Sequence, residues 1–193
     1  MGTSSIGHRA AENVLHAIRF ARDTGRPINT HITISLITLG VHDEEAGPFF
    51  RKLQISVSRW WRYQRVSKGR DIGPPIAVYS HANPAGSRHV DLCMHLPTDI
   101  REEFIAALDK RLCKLTGLDD LGDALHVQPA PTPGSLAKYI LRGINPVYAS
   151  YLHIRAANEG HVSCRRTGTS RAIGRAARGM AAWDRKRSVQ SAA

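Results

Sequence analysis

The stretch from Ile76 to Pro97, IAVYSHANPAGSRHVDLCMHLP, decides how this chain folds. Two runs rich in strand formers, Ile76–His81 and His89–Leu96, flank the loop Asn83-Pro84-Ala85-Gly86. Val, Ile and Tyr favour extended backbone, whereas Pro and Gly turn the chain, so the stretch predicts a β-hairpin. Along a strand, side chains alternate between faces, and residues two apart lie ~7 Å apart on the same side. His89 and Asp91 therefore share a face, where an imidazole nitrogen and a carboxylate oxygen can converge on one divalent cation. His95 shares that face but lies ~13 Å beyond Asp91, too far for the same ion, and reads as structural or as part of a substrate groove. His81, near the end of the preceding strand, is the candidate third ligand from across the hairpin. Taken alone, a His-x-Asp triplet also suits a surface histidine beside a turn and an exposed strand carboxylate.

Upstream of the hairpin, Ala10, Val14, Leu15 and Ile18 recur at helical spacing, which predicts an amphipathic helix from Ile6 to Thr24, stopped by Gly25, Arg26 and Pro27. THITISLIT, Thr30 to Thr38, reads as a strand with Ile32, Ile34 and Leu36 on one face and His31, Thr33 and Ser35 on the other. After Asp43-Glu44-Glu45, helical spacing returns over Ala46–Ser67, with Phe49, Phe50, Leu53, Val57, Trp60 and Trp61 as core and arginines on the remaining faces.

Downstream, Thr98 is the expected N-cap of a helix whose first turn holds Asp99 and Glu102 and whose stripe is Phe104, Ile105, Leu108, Leu112 and Leu115. A short strand is expected at Ala124–Gln128. A helix at Ser135–Arg142, ended by Gly143, and a second helix from Pro146 complete the series. Without its first helix, the order β-α-β-β-α-β predicts an α+β, ferredoxin-like antiparallel sheet with helices on one face and the other face open for a ligand. The expected divisions are an N-terminal helix at 1–29, a main domain at 30–160 and a basic extension at 161–193.

The 193 residues carry 27 Lys and Arg against 16 Asp and Glu, a net charge of +11 that favours a polyanionic partner, nucleic acid before an anionic membrane surface. Arg165, Arg166, Arg171, Arg175, Arg178, Arg185, Lys186 and Arg187 crowd the extension, where they would follow a phosphate backbone or stay solvated. Cys93, Cys113 and Cys164 form neither a CxxC pair nor an even set, which argues against a disulfide framework and a structural zinc site. No apolar run has the ~18 residues of a membrane span, and charges interrupt the start of the chain, so a reduced cytoplasmic location is expected.

The hairpin resembles the second motif of HUH endonucleases, especially plasmid and phage replication initiators, in its extended strand, glycine turn, His-hydrophobe pattern and closing His-hydrophobe-Pro. THITISL stands where that family has a Thr-rich apolar strand, and Ala137-Lys138-Tyr139-Ile140-Leu141-Arg142-Gly143 resembles its Tyr-x-x-Lys helix. The basic run Arg165–Ser170 is a softer match, and the resemblance covers roughly residues 30 to 145. It implies that His89, Asp91 and His81 hold Mg²⁺ or Mn²⁺, and that Tyr139 attacks a phosphodiester to form a phosphotyrosine while Arg142 grips the phosphate. Lys138, Arg88, Arg165, Arg166, Arg171 and Arg175 are the implied DNA contacts. The implied partner is single-stranded DNA, an origin or hairpin, in plasmid or phage replication or mobile-element transfer. The chain has no G-x-x-x-x-G-K-[ST] loop, so a host helicase would do any unwinding.

Two residues depart from the family pattern. Asp91 stands in place of the second histidine, which keeps a ligand for a hard cation or marks a DNA-binding regulator without catalysis. Arg142 replaces lysine, keeping the charge and adding a bidentate grip. Tyr148 and Tyr151, also three apart, are alternative nucleophiles or amphipathic residues at the core's edge. An RNA-binding domain using aromatics on the open face is a further rival, for which the strands offer only Tyr79.

Overall fold

In the computed structural model, which describes residues 2–191 with side chains described as far as Asp184, the stretch from Ile76 to Pro97 is a hairpin. In chain order the elements are α1 (His8–Asp23), β1 (Thr30–Ser35), α2 (Asp43–Val66), β2 (Ala77–Ala82), β3 (His89–Met94), α3 (Arg101–Thr116) and β4 (Leu125–Pro129). They are followed by α4 (Pro133–Ile140), α5 (Pro146–Ala149), β5 (Thr167–Thr169) and α6 (Arg175–Ser191). The sheet is antiparallel throughout, in the order β4-β1-β3-β2-β5. The chain is therefore α+β.

Strand alternation sets up two cores. Ile32 and Ile34 of β1 and Val90, Leu92 and Met94 of β3 pack against Phe50, Leu53, Trp60 and Trp61 of α2 and Phe104, Leu108 and Leu112 of α3. Fully burying each such side chain contributes ~1.5–3 kcal/mol. The helices hold their lengths for local reasons: Asp43, Glu44 and Glu45 oppose the N-terminal dipole of α2, and α3 stops at Gly117, whose φ of 77° a side-chain-bearing residue rarely adopts.

The opposite face departs from expectation. Val78 and Cys93 lie beneath Ala11, Val14, Ile18 and Ala21 of α1 and Leu136, Ala137 and Ile140 of α4. Helices thus lie on both faces, not one. The apolar stripe of α1 needs a partner, and it finds one on the sheet.

The second departure is in the basic extension. Thr167–Thr169 adds a fifth strand beside β2, with Val78 opposite Thr169 and Ser80 opposite Thr167. Arg178 reaches back to the Asn13 carbonyl and side chain on α1. Residues 161–184 are thus built into the fold and do not trail from it. Among the described residues, no helix is long and apolar enough to cross a membrane.

Candidate functional site

β1 and β3 run side by side with Thr33 opposite Asp91, His31 opposite Cys93 and Ser35 opposite His89. Alternation turns His31, Thr33, His89 and Asp91 to the α4 side of the sheet. Asp91, only 2% exposed, is the hub of a polar cleft. Its Oδ1 lies 2.8 Å from His31 Nε2 and accepts from Thr33 Oγ1 at 3.0 Å and from the Tyr139 hydroxyl at 3.4 Å. Its Oδ2 lies 3.6 Å from His89 Nε2 and 3.9 Å from the Arg142 guanidinium.

Two histidine tautomers follow from their partners. His89 Nδ1 lies 2.9 Å from the Ser87 carbonyl, which can only accept, so Nδ1 carries a proton and Nε2 is a lone pair in the neutral ring and a donor to Asp91 in the protonated one. Gln128 Nε2 donates to His31 Nδ1 at 3.0 Å, which places the His31 proton on Nε2, facing the carboxylate. Burial alone would push Asp91 upward, but hydrogen bonds from His31 and His89 and the charges of both outweigh it and hold the carboxyl well below its usual range. The same Asp91 bond raises His89 above its ordinary value, against the opposing effect of burial.

Tyr139 is carried by the last turn of α4, and Arg142 lies just beyond it, where the chain leaves the helix. The Arg142 guanidinium lies over the Tyr139 ring, 4.3 Å from its centroid, while one terminal nitrogen is 3.4 Å from His89 Nε2. The His31 ring meets the Tyr139 ring edge-on at 5.1 Å. Burial first, and then the charge of Asp91, push the phenol up to about 12. It is protonated at neutral pH.

Of the sequence-predicted residues, Tyr139, Arg142, His89 and Asp91 meet here. His81 does not. The β2–β3 register sets it opposite Val90, on the α2 side, where it packs edge-on against Phe50 with ring centroids 5.0 Å apart. His81 and His89 are eight positions apart, an even spacing, yet the hairpin register places them on opposite faces, so His81 is no ligand for an ion held at Asp91. Burial, then the nearby Arg166, lower its pKa to about 4. His31 takes the place proposed for it; the alternation of THITIS had already put it on the polar face.

Arg166 needs a second correction. It is 3% exposed, and its guanidinium bonds the carbonyls of His81, Glu159, Thr3 and Gly160, so it is a buried clamp and not a surface contact. Lys138, Arg165, Arg171 and Arg175 are exposed, and Arg88 is half-buried. The side chains of Arg185, Lys186 and Arg187 lie outside the described residues. Tyr148 packs on His8 at 5.2 Å, and Tyr151 is 77% exposed. Tyr79 faces α2, its ring tilted against Phe50 with centroids 4.8 Å apart, and is not on the α4 side. His95 lies beyond the end of β3, its Nδ1 2.7 Å from the Pro27 carbonyl. Cys93, Cys113 and Cys164 are free thiols.

Among the described residues, no group of three or more His, Cys, Asp and Glu side chains is disposed to hold a metal ion. The donor chemistry of the cleft nonetheless suits one: His89 Nε2 offers a lone pair fixed by a backbone carbonyl, and Asp91 Oδ2 has only contacts longer than 3.5 Å. His31 could join them only by giving up its bond to Asp91. No family model, curated protein or solved structure matches this chain.

Proposed function

We propose that the protein cuts and rejoins single-stranded DNA through a transient phosphotyrosine at Tyr139. One observation carries this reading: a half-buried phenol is hydrogen-bonded to the carboxylate of a His-Asp-His cluster, with a guanidinium lying across its ring. A net charge of +11 supports a polyanionic substrate. The fold that goes with this reading is a ferredoxin-like β-α-β-β-α-β core, supported by the position of β1 between β4 and β3. The setting that goes with it is a reduced cytoplasm.

Arg142 presents its free edge to a non-bridging phosphate oxygen, and Asp91 orients the Tyr139 hydroxyl by accepting its hydrogen bond. With its pKa raised to about 12, the phenol must give up its proton as it attacks, and Asp91 Oδ1, which accepts its hydrogen bond, is the atom in contact that can take it. The Oη–P bond forms and the P–O3′ bond breaks. The leaving O3′ receives that proton. Rejoining is the reverse, with the 3′-hydroxyl as nucleophile. A bound Mg²⁺ or Mn²⁺, held by His89 and Asp91 with His31 beside them, would supply positive charge to the phosphate.

The test uses end-labelled single-stranded oligonucleotides of origin or hairpin sequence with Mn²⁺ or Mg²⁺. A covalent adduct should appear on a denaturing gel and disappear with Tyr139→Phe and with EDTA. An adduct that survives Tyr139→Phe and disappears with Tyr148→Phe would move the nucleophile. A second reading, a DNA-binding regulator without catalysis, draws on the contact of Arg142 with Asp91 Oδ2, which already neutralises the carboxylate. Salt-sensitive binding without any adduct would select it.

A further inference from the structure

We infer that Glu159 is the positioning residue that aims Arg142 into the cleft, an inference that rests on the strand-transfer reading of that cleft. Glu159 lies in the segment after α5, outside the residues that resemble any motif, and it is only 6% exposed. Its Oε1 accepts from Arg142 Nε at 2.8 Å, the shortest ion-pair contact Arg142 makes. A guanidinium presents five donors in a fixed fork. With Nε held by Glu159, the plane lies over the Tyr139 ring and a terminal nitrogen points at His89 and Asp91. Without that tether, the fork is free to turn onto Asp91 and form a bidentate pair, which would occupy both the carboxylate and the donors meant for phosphate.

The backbone around Glu159 is fixed from several sides. The Ala157 N–H donates to the Arg142 carbonyl at 2.7 Å, and the Asn83 N–H donates to the Glu159 carbonyl at 2.9 Å. Arg166 bonds the Glu159 and Gly160 carbonyls from behind. Gly160 adopts φ of 65°, with the Asn83 carbonyl oxygen where a Cβ would sit. On the facing side, a Cβ at Gly143 would stand 3.2 Å from the Glu159 side chain, so glycine there lets the two chains approach. So rigid a mounting is unnecessary for a carboxylate that merely balances charge. It is what holding a guanidinium at a set angle requires.

The test compares wild type, Glu159→Gln and Glu159→Ala in full-length protein. Single-turnover adduct formation on the oligonucleotides above should fall about 10-fold in Glu159→Gln, which keeps an acceptor but no charge, and about 100-fold in Glu159→Ala. The oligonucleotide Kd should stay within about twofold, because Arg142 keeps its charge and the strand is held mostly elsewhere. Independently of activity, the Arg142 Nε–H, assigned in ¹⁵N-labelled protein by its loss in Arg142→Lys, should be protected from solvent exchange in wild type and exposed in Glu159→Ala. Adduct rates within twofold of wild type in both variants would overturn the inference, as would undiminished Nε–H protection in Glu159→Ala. If Glu159→Ala fails to fold, Glu159→Gln decides by its rate. Wild type that forms no adduct sinks the strand-transfer reading alone, and the exchange measurement then decides whether Glu159 holds Arg142.

Discussion

On one side of β1 and β3, Ile32, Ile34, Val90, Leu92 and Met94 lie under α2 and α3. On the other side, one residue along each strand, His31, Thr33, His89 and Asp91 lie under Tyr139 and Arg142. Two buried histidines make the contrast sharp, since His81 and His31 are 2% and 3% exposed. His81 lies against Phe50 near Arg166, and burial keeps it neutral. His31 lies against a carboxylate and a glutamine. Equal burial therefore comes with different partners. The partner decides, and strand register decides the partner.

The largest break in this contrast should come from Asp91→Ala. It leaves His31, His89 and Arg142 without their shared anion, and removing one member of a buried charged set costs ~3–5 kcal/mol. Chemical denaturation should show that loss. Asp91→Asn should fold and still lose adduct formation by about 100-fold or more. If Asp91→Asn keeps wild-type rates, Asp91 is not the hub.

Next in size is the apolar face. Phe104→Ala should cost ~3–5 kcal/mol of stability through the cavity left beside Trp60 and Trp61, with adduct formation by the folded fraction unchanged. A rate loss in protein shown to be folded would mean the two faces are coupled.

His81 gives a pH test. Its folded pKa of about 4 lies below the ordinary 6.5, so the unfolded chain takes up the proton more readily. Stability is whole above 6.5 and drains as pH falls toward 4, by about 3 kcal/mol in all. His81→Phe should flatten that slope when denaturation midpoints are compared across the window. An unchanged slope would assign it to other groups.

Smallest is Thr33→Val, which removes one donor to Asp91 Oδ1 and should cost ~1.5–3 kcal/mol at most, with a modest fall in rate. A change as large as that of Asp91→Asn would place Thr33 closer to the chemistry than its 3.0 Å bond to Asp91 suggests.

Most elements were legible because their periodicity is strong. The helix read at Ile6–Thr24 is α1 at His8–Asp23, and that read at Ala46–Ser67 is α2 at Asp43–Val66. The polar face of THITIS and the pairing of Tyr139 with Arg142 were legible too. The side on which His81 faces was not, because it depends on hairpin register, which a loop of Asn, Pro, Ala and Gly does not disclose by composition. β5 is three residues long, too short for a pattern, so the extension read as a tail. Arg166 and Glu159 look like surface charges in sequence. Only distant carbonyls and a guanidinium make them interior, and no local signal points to those partners.

The order of these parts along the chain sets when the site can be assembled. Tyr139 and Arg142 leave the ribosome before Glu159, and Glu159 before the Arg166 that fastens it to Thr3 and the end of β2. A nascent chain that already carries the phenol still lacks the brace that orients its arginine. A fragment that ends before residue 166 would carry Tyr139 and Arg142 without the contacts that hold Glu159 in place.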